Sequence, residues 1–290
     1  MADVARTKSG GFWYQHPRLR LSALLAAPMF WLVVVYLGSL AALFLTAFWT
    51  IDDFTGQIVR TFTLKNFQNL FTDVGYLQTV GRTVLIALGV TVLCAVLAIP
   101  IAFFMARIAA PRWRPLLVAL VLTPLWASYL VKVYAWRAML QPESGVVAWF
   151  LAPLGLDSPG YNQTAVLITL TYLWLPYMIL PVYAGLERLP ISLLDASGDL
   201  GAKPWRTFRS VVTPMIFPAI VAGSIFTFSL SLGDYITVQI VGGTTVMLGN
   251  IVQQTYVTNL PFAAAVATLP VVIVLVYLAS VRRTGALENV

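Results

Sequence analysis

The chain has 290 residues, 59% of them hydrophobic and 10% charged, with a mean hydropathy of +0.84, and a water-soluble fold cannot hide that much apolar surface. The net charge of +7 is spread along the chain, not gathered on one basic surface, which argues against nucleic acid as a partner. One histidine, His16, and one cysteine, Cys94, cannot assemble a zinc site of the usual nitrogen and sulfur ligands, so no metal is expected.

The N-terminal segment 1–23 contains FWYQHPRLRL, a mixture of aromatic and basic residues suited to the headgroup level, with His16 as an interfacial histidine. Arginines before an apolar stretch imitate a signal peptide. That stretch, however, runs about 25 residues where a cleaved signal has roughly 7 to 15, so an uncleaved first span is expected. Apolar runs long enough for the about 20 residues that cross a hydrocarbon core lie near 24–49, 80–106, 116–140, 165–185, 216–232 and 262–281. They predict an all-α integral membrane fold of about six transmembrane helices, one domain over 1–290 with no separate soluble unit. Cys94, inside the second run, can form no internal disulfide and reads as an inert core residue.

Charge sorts the connections. Arg6, Lys8, Arg18 and Arg20 precede the first run; Arg107, Arg112 and Arg114 separate the second and third. Arg188, Lys203, Arg206 and Arg209 lie between the fourth and fifth, and Arg282 and Arg283 follow the sixth, whereas the third and fifth connections carry no lysine or arginine. The asymmetry places both termini in the cytoplasm. The first outward loop, 51–79, with Asp52, Asp53 and Asp73, is expected to be an ordered surface cap. Pro100, Pro124, Pro176, Pro181, Pro218 and Pro270 fall inside or at the ends of runs, either bending helices around a cavity or as tolerated kinks. No glycine-rich loop ending in Gly-Lys-Ser/Thr and no serine, histidine and acid set stands in suitable segments, so no enzyme activity is expected and any ATP belongs to another chain.

The most informative segment is LPISLLDASGDLGAKPWRTFRSVVTP, 189–214, between the fourth and fifth runs. Ser192 followed three residues later by Asp195 reads as a capping box that opens a short helix. Gly201 supplies a left-handed stop, and Pro204 prevents continuation. Beyond it, Trp205, Phe208, Val211 and Val212 recur on one face, as in an interfacial amphipathic helix.

This segment resembles the cytoplasmic EAA loop of binding-protein-dependent ABC importers: E-A-A, three residues, Gly, nine residues, then I-x-L-P. Asp195-Ala196-Ser197 stands for E-A-A, Gly201 for the glycine and Val211-Val212-Thr213-Pro214 for the close. The departures are Asp for Glu, Ser for the second Ala, Val for Ile and Thr for Leu, and the shorter acid puts its own contact in question. The resemblance implies a coupling helix over 192–203 that rests in a groove of an ATPase subunit, with Ser192, Asp195, Ala196, Ser197, Gly201, Ala202 and Lys203 as coupling residues. It also implies the layout of type I importer permeases in a bacterial inner membrane. The partners it implies are an ABC ATPase dimer that uses ATP and Mg, a second homologous permease forming a heterodimer, and a periplasmic solute-binding protein. LVKVYAWRAML (130–140) and LGDYITVQIVGGTTVMLGN (232–250) are similar to the first permease subunit of spermidine/putrescine systems, which implies a small cationic solute. Permeases for ferric iron and organophosphonates share parts of these stretches. An ion-coupled secondary transporter would show inverted repeats and a chain of buried acids, and neither is visible.

Lys132, Arg137 and Asp234 are the costly ionisable residues of the outer half. Asp234 either accepts an ammonium of the solute or pairs with Lys132, and Arg137 alternatively snorkels to the interface. Tyr129, Trp136, Tyr172, Trp174 and Tyr235 lie at similar expected depths as cation–π faces worth roughly 0.5 to 2 kcal/mol each. For Trp136 and Tyr235 an aromatic belt is the alternative.

Overall fold

The computed structural model describes residues 17–52 and 54–282; His16, most of the N-terminal interfacial segment, Asp53 and Arg283 lie outside the described residues. Among the described residues, five helices are long and apolar enough to cross a membrane: Leu24–Thr46, Val74–Ile108, Gln163–Arg188, Pro204–Leu232 and Leu260–Arg282. Where the third span was expected as one helix over 116–140, two helices stand, Pro111–Trp126 and Tyr129–Met139, bent by 91°. Pro124 cannot donate to the ladder, Ala127 and Ser128 take extended backbone, and the helix restarts when the Lys132 amide bonds the Ser128 carbonyl.

The second, fourth and fifth spans pack on one another and form the center of the bundle. Thr83, Ala87, Val90, Cys94, Ala98 and Ala102 are all fully buried and recur at helical spacing along one face of the second span, which lets backbones approach where lipid supplies no hydrophobic drive between helices. Cys94 donates to the Thr171 carbonyl at 3.5 Å, a core residue as expected. Between the fourth and fifth spans, a side chain at Gly223 would lie 2.6 Å from Met178 Sδ, so only glycine permits that approach. The first span lies on the periphery with no buried residue in its apolar window.

Several boundaries differ from expectation. The fifth span begins at Pro204, not near 216, because a π-helical turn at Phe208–Val212 carries the helix from the loop into the membrane segment. Pro204 therefore opens this helix at its first turn, where a missing N–H costs nothing, and the separate amphipathic helix does not exist. The second span starts at Val74, capped by Asp73, whose carboxylate accepts the Gly75 amide at 2.7 Å. The rest of the connection between the first and second spans is ordered, as expected: a two-stranded hairpin pairing Thr50 with Val59 and Ile51 with Ile58, then the helix Lys65–Thr72. Buried Asn66 donates to the Ala47 and Trp49 carbonyls at 2.9 and 2.8 Å, which satisfies backbone acceptors at the end of the first span.

Candidate functional site

Two regions draw together the residues singled out in the sequence. At the basic end of the bundle, which carries Arg107 and Arg188, the connection after the fourth span forms a helix, Ile191–Asp199. The Ser192–Asp195 capping box is absent: Pro190 occupies the N-cap with extended backbone and makes no side-chain cap. The helix thus starts before Ser192 and leaves that hydroxyl inside the first turn. Its stop is as expected. Gly201 has φ of +74°, its amide bonds the Gly198 carbonyl at 2.8 Å, and the Ala202 amide reaches back to Ser197 at 3.1 Å. That pair of bonds is a Schellman motif, which requires a left-handed residue at this position.

Lys203 then extends the chain and Pro204 restarts a helix. The Ser197 and Thr207 hydroxyls lie 2.8 Å apart and fasten the loop helix to the root of the fifth span. Trp205 stacks on Phe208 at 6.0 Å, and Phe208 meets Phe103 of the second span edge-on at 6.3 Å. Asp195, Ala196 and Ala202 lie nearby with surfaces wholly or partly open. Leu200 is 89% exposed, with Trp205 71% and Ile191 65%. These are large apolar side chains left open on a polar connection, and exposed apolar surface of this kind marks interaction sites.

Toward the opposite end, the fifth span stops at Leu232 and Gly233, and a six-residue helix, Ile236–Val241, follows. Between them Asp234 is only 7% exposed. Its carboxylate accepts the Thr237 amide at 2.9 Å, the Thr237 hydroxyl at 3.1 Å and the Tyr129 hydroxyl. The Lys132–Asp234 salt bridge does not form. The break at 127–128 instead delivers Tyr129, first residue of the restarted helix, to the acid. Arg137 donates to the Ile240 carbonyl at 2.9 Å and lies over the Tyr161 ring at 5.0 Å.

Tyr129, Trp174, Asp234 and Tyr235 line one open cavity of about 290 Å³, and Tyr129 stacks on Trp174 at 6.1 Å. Gly233 and Tyr235 also line a second cavity of about 520 Å³ with Gln253, Tyr256 and Pro270. Trp136 and Tyr172 pack on each other at 5.3 Å and line neither of these two cavities. Sequence reasoning missed Thr237, Gln253 and Tyr256, which sit on short helices after the fifth span. Thr237, three residues after an acid, was the one legible signal. It also missed Asn250, whose side chain joins the Tyr235 carbonyl and the Met247 amide at 3.1 Å each. Among the described residues no group of three or more His, Cys, Asp or Glu is arranged for a metal.

The family described as binding-protein-dependent transport system inner membrane component matches residues 98–282. The chain belongs to this family of ABC importer permeases. The permease is 44% identical over 298 aligned residues to the inner membrane ABC transporter permease protein YdcU of Escherichia coli K12, covering 97% of this chain and 95% of that one. The spermidine/putrescine transport system permease protein PotB of Salmonella typhimurium LT2 is 34% identical, with 89% and 92% covered. PotB of Haemophilus influenzae is also 34% identical, with 71% and 73% covered.

Among solved structures, a chain of a bacterial alginate ABC transporter in complex with an alginate pentasaccharide-bound periplasmic protein superposes on the permease with a TM-score of 0.73 at 15% identity, covering 96% and 98%. A chain of the inward-facing MetNI methionine ABC transporter gives 0.55 at 19%, covering 72% and 93%. At those identities the likeness shows the fold. The permease is thus an all-α, multi-pass inner-membrane component of a transport system.

Proposed function

We propose that the permease imports polyamines, spermidine or putrescine, by alternating access driven by an ABC ATPase pair that presses on the loop helix. The observation that carries the ATPase reading is the loop itself: a helix stopped by Gly201 at positive φ, with Leu200 and Trp205 exposed and Ser197 bonded to Thr207. A surface of that kind fits a groove on a second protein, and Ser192, Asp195, Ala196, Ser197, Gly201, Ala202 and Lys203 are its coupling residues. On this reading the basic end and both termini are cytoplasmic, and 1–290 acts as one permease domain. A second, homologous permease completes the path, a periplasmic binding protein delivers the solute, and ATP with Mg stays on the partner.

The polyamine reading rests on likeness to PotB and on the cavity where Asp234 stands among Tyr129, Trp174 and Tyr235. A carboxylate with aromatic faces suits an ammonium through weak, successive contacts. A second reading, another small solute such as ferric iron or an organophosphonate, is favored by one observation: Asp234 already receives bonds from Tyr129 and Thr237. Proteoliposomes holding the permease, its partner permease, the ATPase and the binding protein decide between them. The proposal expects labelled spermidine to accumulate only with ATP and Mg, and Asp234→Asn to lower that uptake at equal abundance. Accumulation of ferric iron or a phosphonate without spermidine uptake overturns the polyamine reading, and uptake driven by an ion gradient alone overturns the ATP-driven one.

A further inference from the structure

Arg107 lies in a π-helical turn, Phe104–Ile108, at the end of the second span. Its Nη2 donates to two backbone carbonyls about eighty residues away, those of Leu186, at 2.5 Å, and Leu189. Leu186 is in the last turn of the fourth span and Leu189 is its C-cap; both are buried. The guanidinium therefore sits on the negative end of a 26-residue helix, where a cation is favored; the Leu186 carbonyl it meets also takes the Leu189 amide at 3.3 Å. Pro190 follows immediately, caps the loop helix, and has no amide with which to hold itself. One turn earlier on the same helix, Phe103 touches Phe208 at the root of the fifth span. The end of the second span thus reaches both ends of the loop that Ser197 and Thr207 close.

We propose that Arg107 is the positioning residue that locks the root of the loop helix to the second span, so that a push on Ile191–Asp199 moves the second and fourth spans as one body. This deepens the proposed function and rests on it, since it presumes that the ATPase acts at the loop. Without the guanidinium, the step from Leu186 to Pro190 becomes a hinge, and the loop helix tilts without carrying the span along. A lysine keeps the charge, but its ammonium ends one bond short of the Nη2 position that meets both carbonyls, so it restores the link in part.

The test compares wild type, Arg107→Gln and Arg107→Lys in the complete reconstituted complex at matched abundance. Two quantities are read: hydrogen exchange of the peptide covering 186–193, and ATP hydrolyzed per labelled spermidine taken up. Expected for Arg107→Gln is exchange faster by about tenfold, the scale set by loss of bonds to a charged group, together with a severalfold rise in ATP per solute; Arg107→Lys falls between. Unchanged exchange overturns the lock. Faster exchange with an unchanged ATP ratio overturns the transmission role, because a purely stabilizing cap gives that result. If the wild-type complex takes up no spermidine with ATP, the proposed function fails, and the exchange rates alone then decide for or against the lock.

Discussion

The two ends of this bundle handle exposure in opposite ways. At the basic end, Leu200, Trp205 and Ile191 hold apolar surface open on a connection whose backbone is closely specified by Gly201, Ser197 and Thr207. Toward the opposite end, Asp234 is withdrawn from solvent and each carboxylate oxygen is met by a donor from Tyr129 or Thr237. Exposed apolar side chains are free to meet a partner outside the chain, whereas a buried acid must find its partners within. Substitutions of exposed side chains at the first end should therefore act on transport with little effect on stability, and those at the second on stability as well.

The largest effect that sharpens this contrast is expected for Gly201→Val. A β-branched residue at φ of +74° costs roughly 1–2 kcal/mol or unwinds the stop, though nothing lies within 4 Å of the added atom. The chain should reach the membrane in normal amount with spermidine uptake nearly abolished. Normal uptake would break the account of the loop.

Next is Asp234→Ala, which leaves the Thr237 amide without its acceptor and the Tyr129 hydroxyl with only the Thr237 hydroxyl, 2.7 Å away. Thermal unfolding in detergent should show a loss of about 1–3 kcal/mol, and Asp234→Asn, which keeps an acceptor, should lose less. Equal stability of all three proteins would mean that the polar node does not hold the Gly233–Tyr235 break. Leu200→Ser is smaller in folding terms, within about 0.5 kcal/mol for an exposed site, yet it should weaken retention of the ATPase during purification. A destabilized Leu200→Ser protein would show that the residue is packed, not presented.

Asp52 provides the smallest effect and a surface counterpart to Asp234. The Phe54 and Thr55 amides donate to its Oδ1 at 2.8 and 3.2 Å, and these bonds hold its carboxyl below the ordinary aspartate range. With the folded value depressed, the contribution to the hairpin is fully present above the unfolded value of about 3.9 and is lost as pH falls through the lowered one. An NMR titration of the Phe54 amide should show its midpoint below about 3.9; a midpoint above it would contradict the geometry.

How much of this was legible depended on whether the cause was local. Gly201 was readable because a left-handed stop is dictated by one residue and its neighbors, and the apolar runs were readable because composition alone places a span. The break at 127–128 was not, since a proline such as Pro124 is tolerated within continuous membrane helices and the bend follows from the extended Ala127 and Ser128. The capping box failed because Pro190, two residues upstream of Ser192, took the helix start for itself. Of the residues expected at one depth, Tyr129, Trp174, Asp234 and Tyr235 line a single cavity, while Trp136 and Tyr172 pack on each other elsewhere. Depth follows from position along a span, but which way a residue faces follows from packing. Arg107 was counted only as a basic flank, because its carbonyl partners lie some eighty residues on and carry no side-chain signal.

The central claim is that the loop after the fourth span is where the ATPase acts, and site-directed photo-crosslinking tests it most directly. A benzophenone amino acid replacing Leu200 in the assembled complex should capture the ATPase chain in high yield, while the same group replacing exposed Trp149, in the connection between the third and fourth spans, should capture none. Capture of the ATPase from position 149, or its absence from position 200 in a complex that transports, would contradict the account.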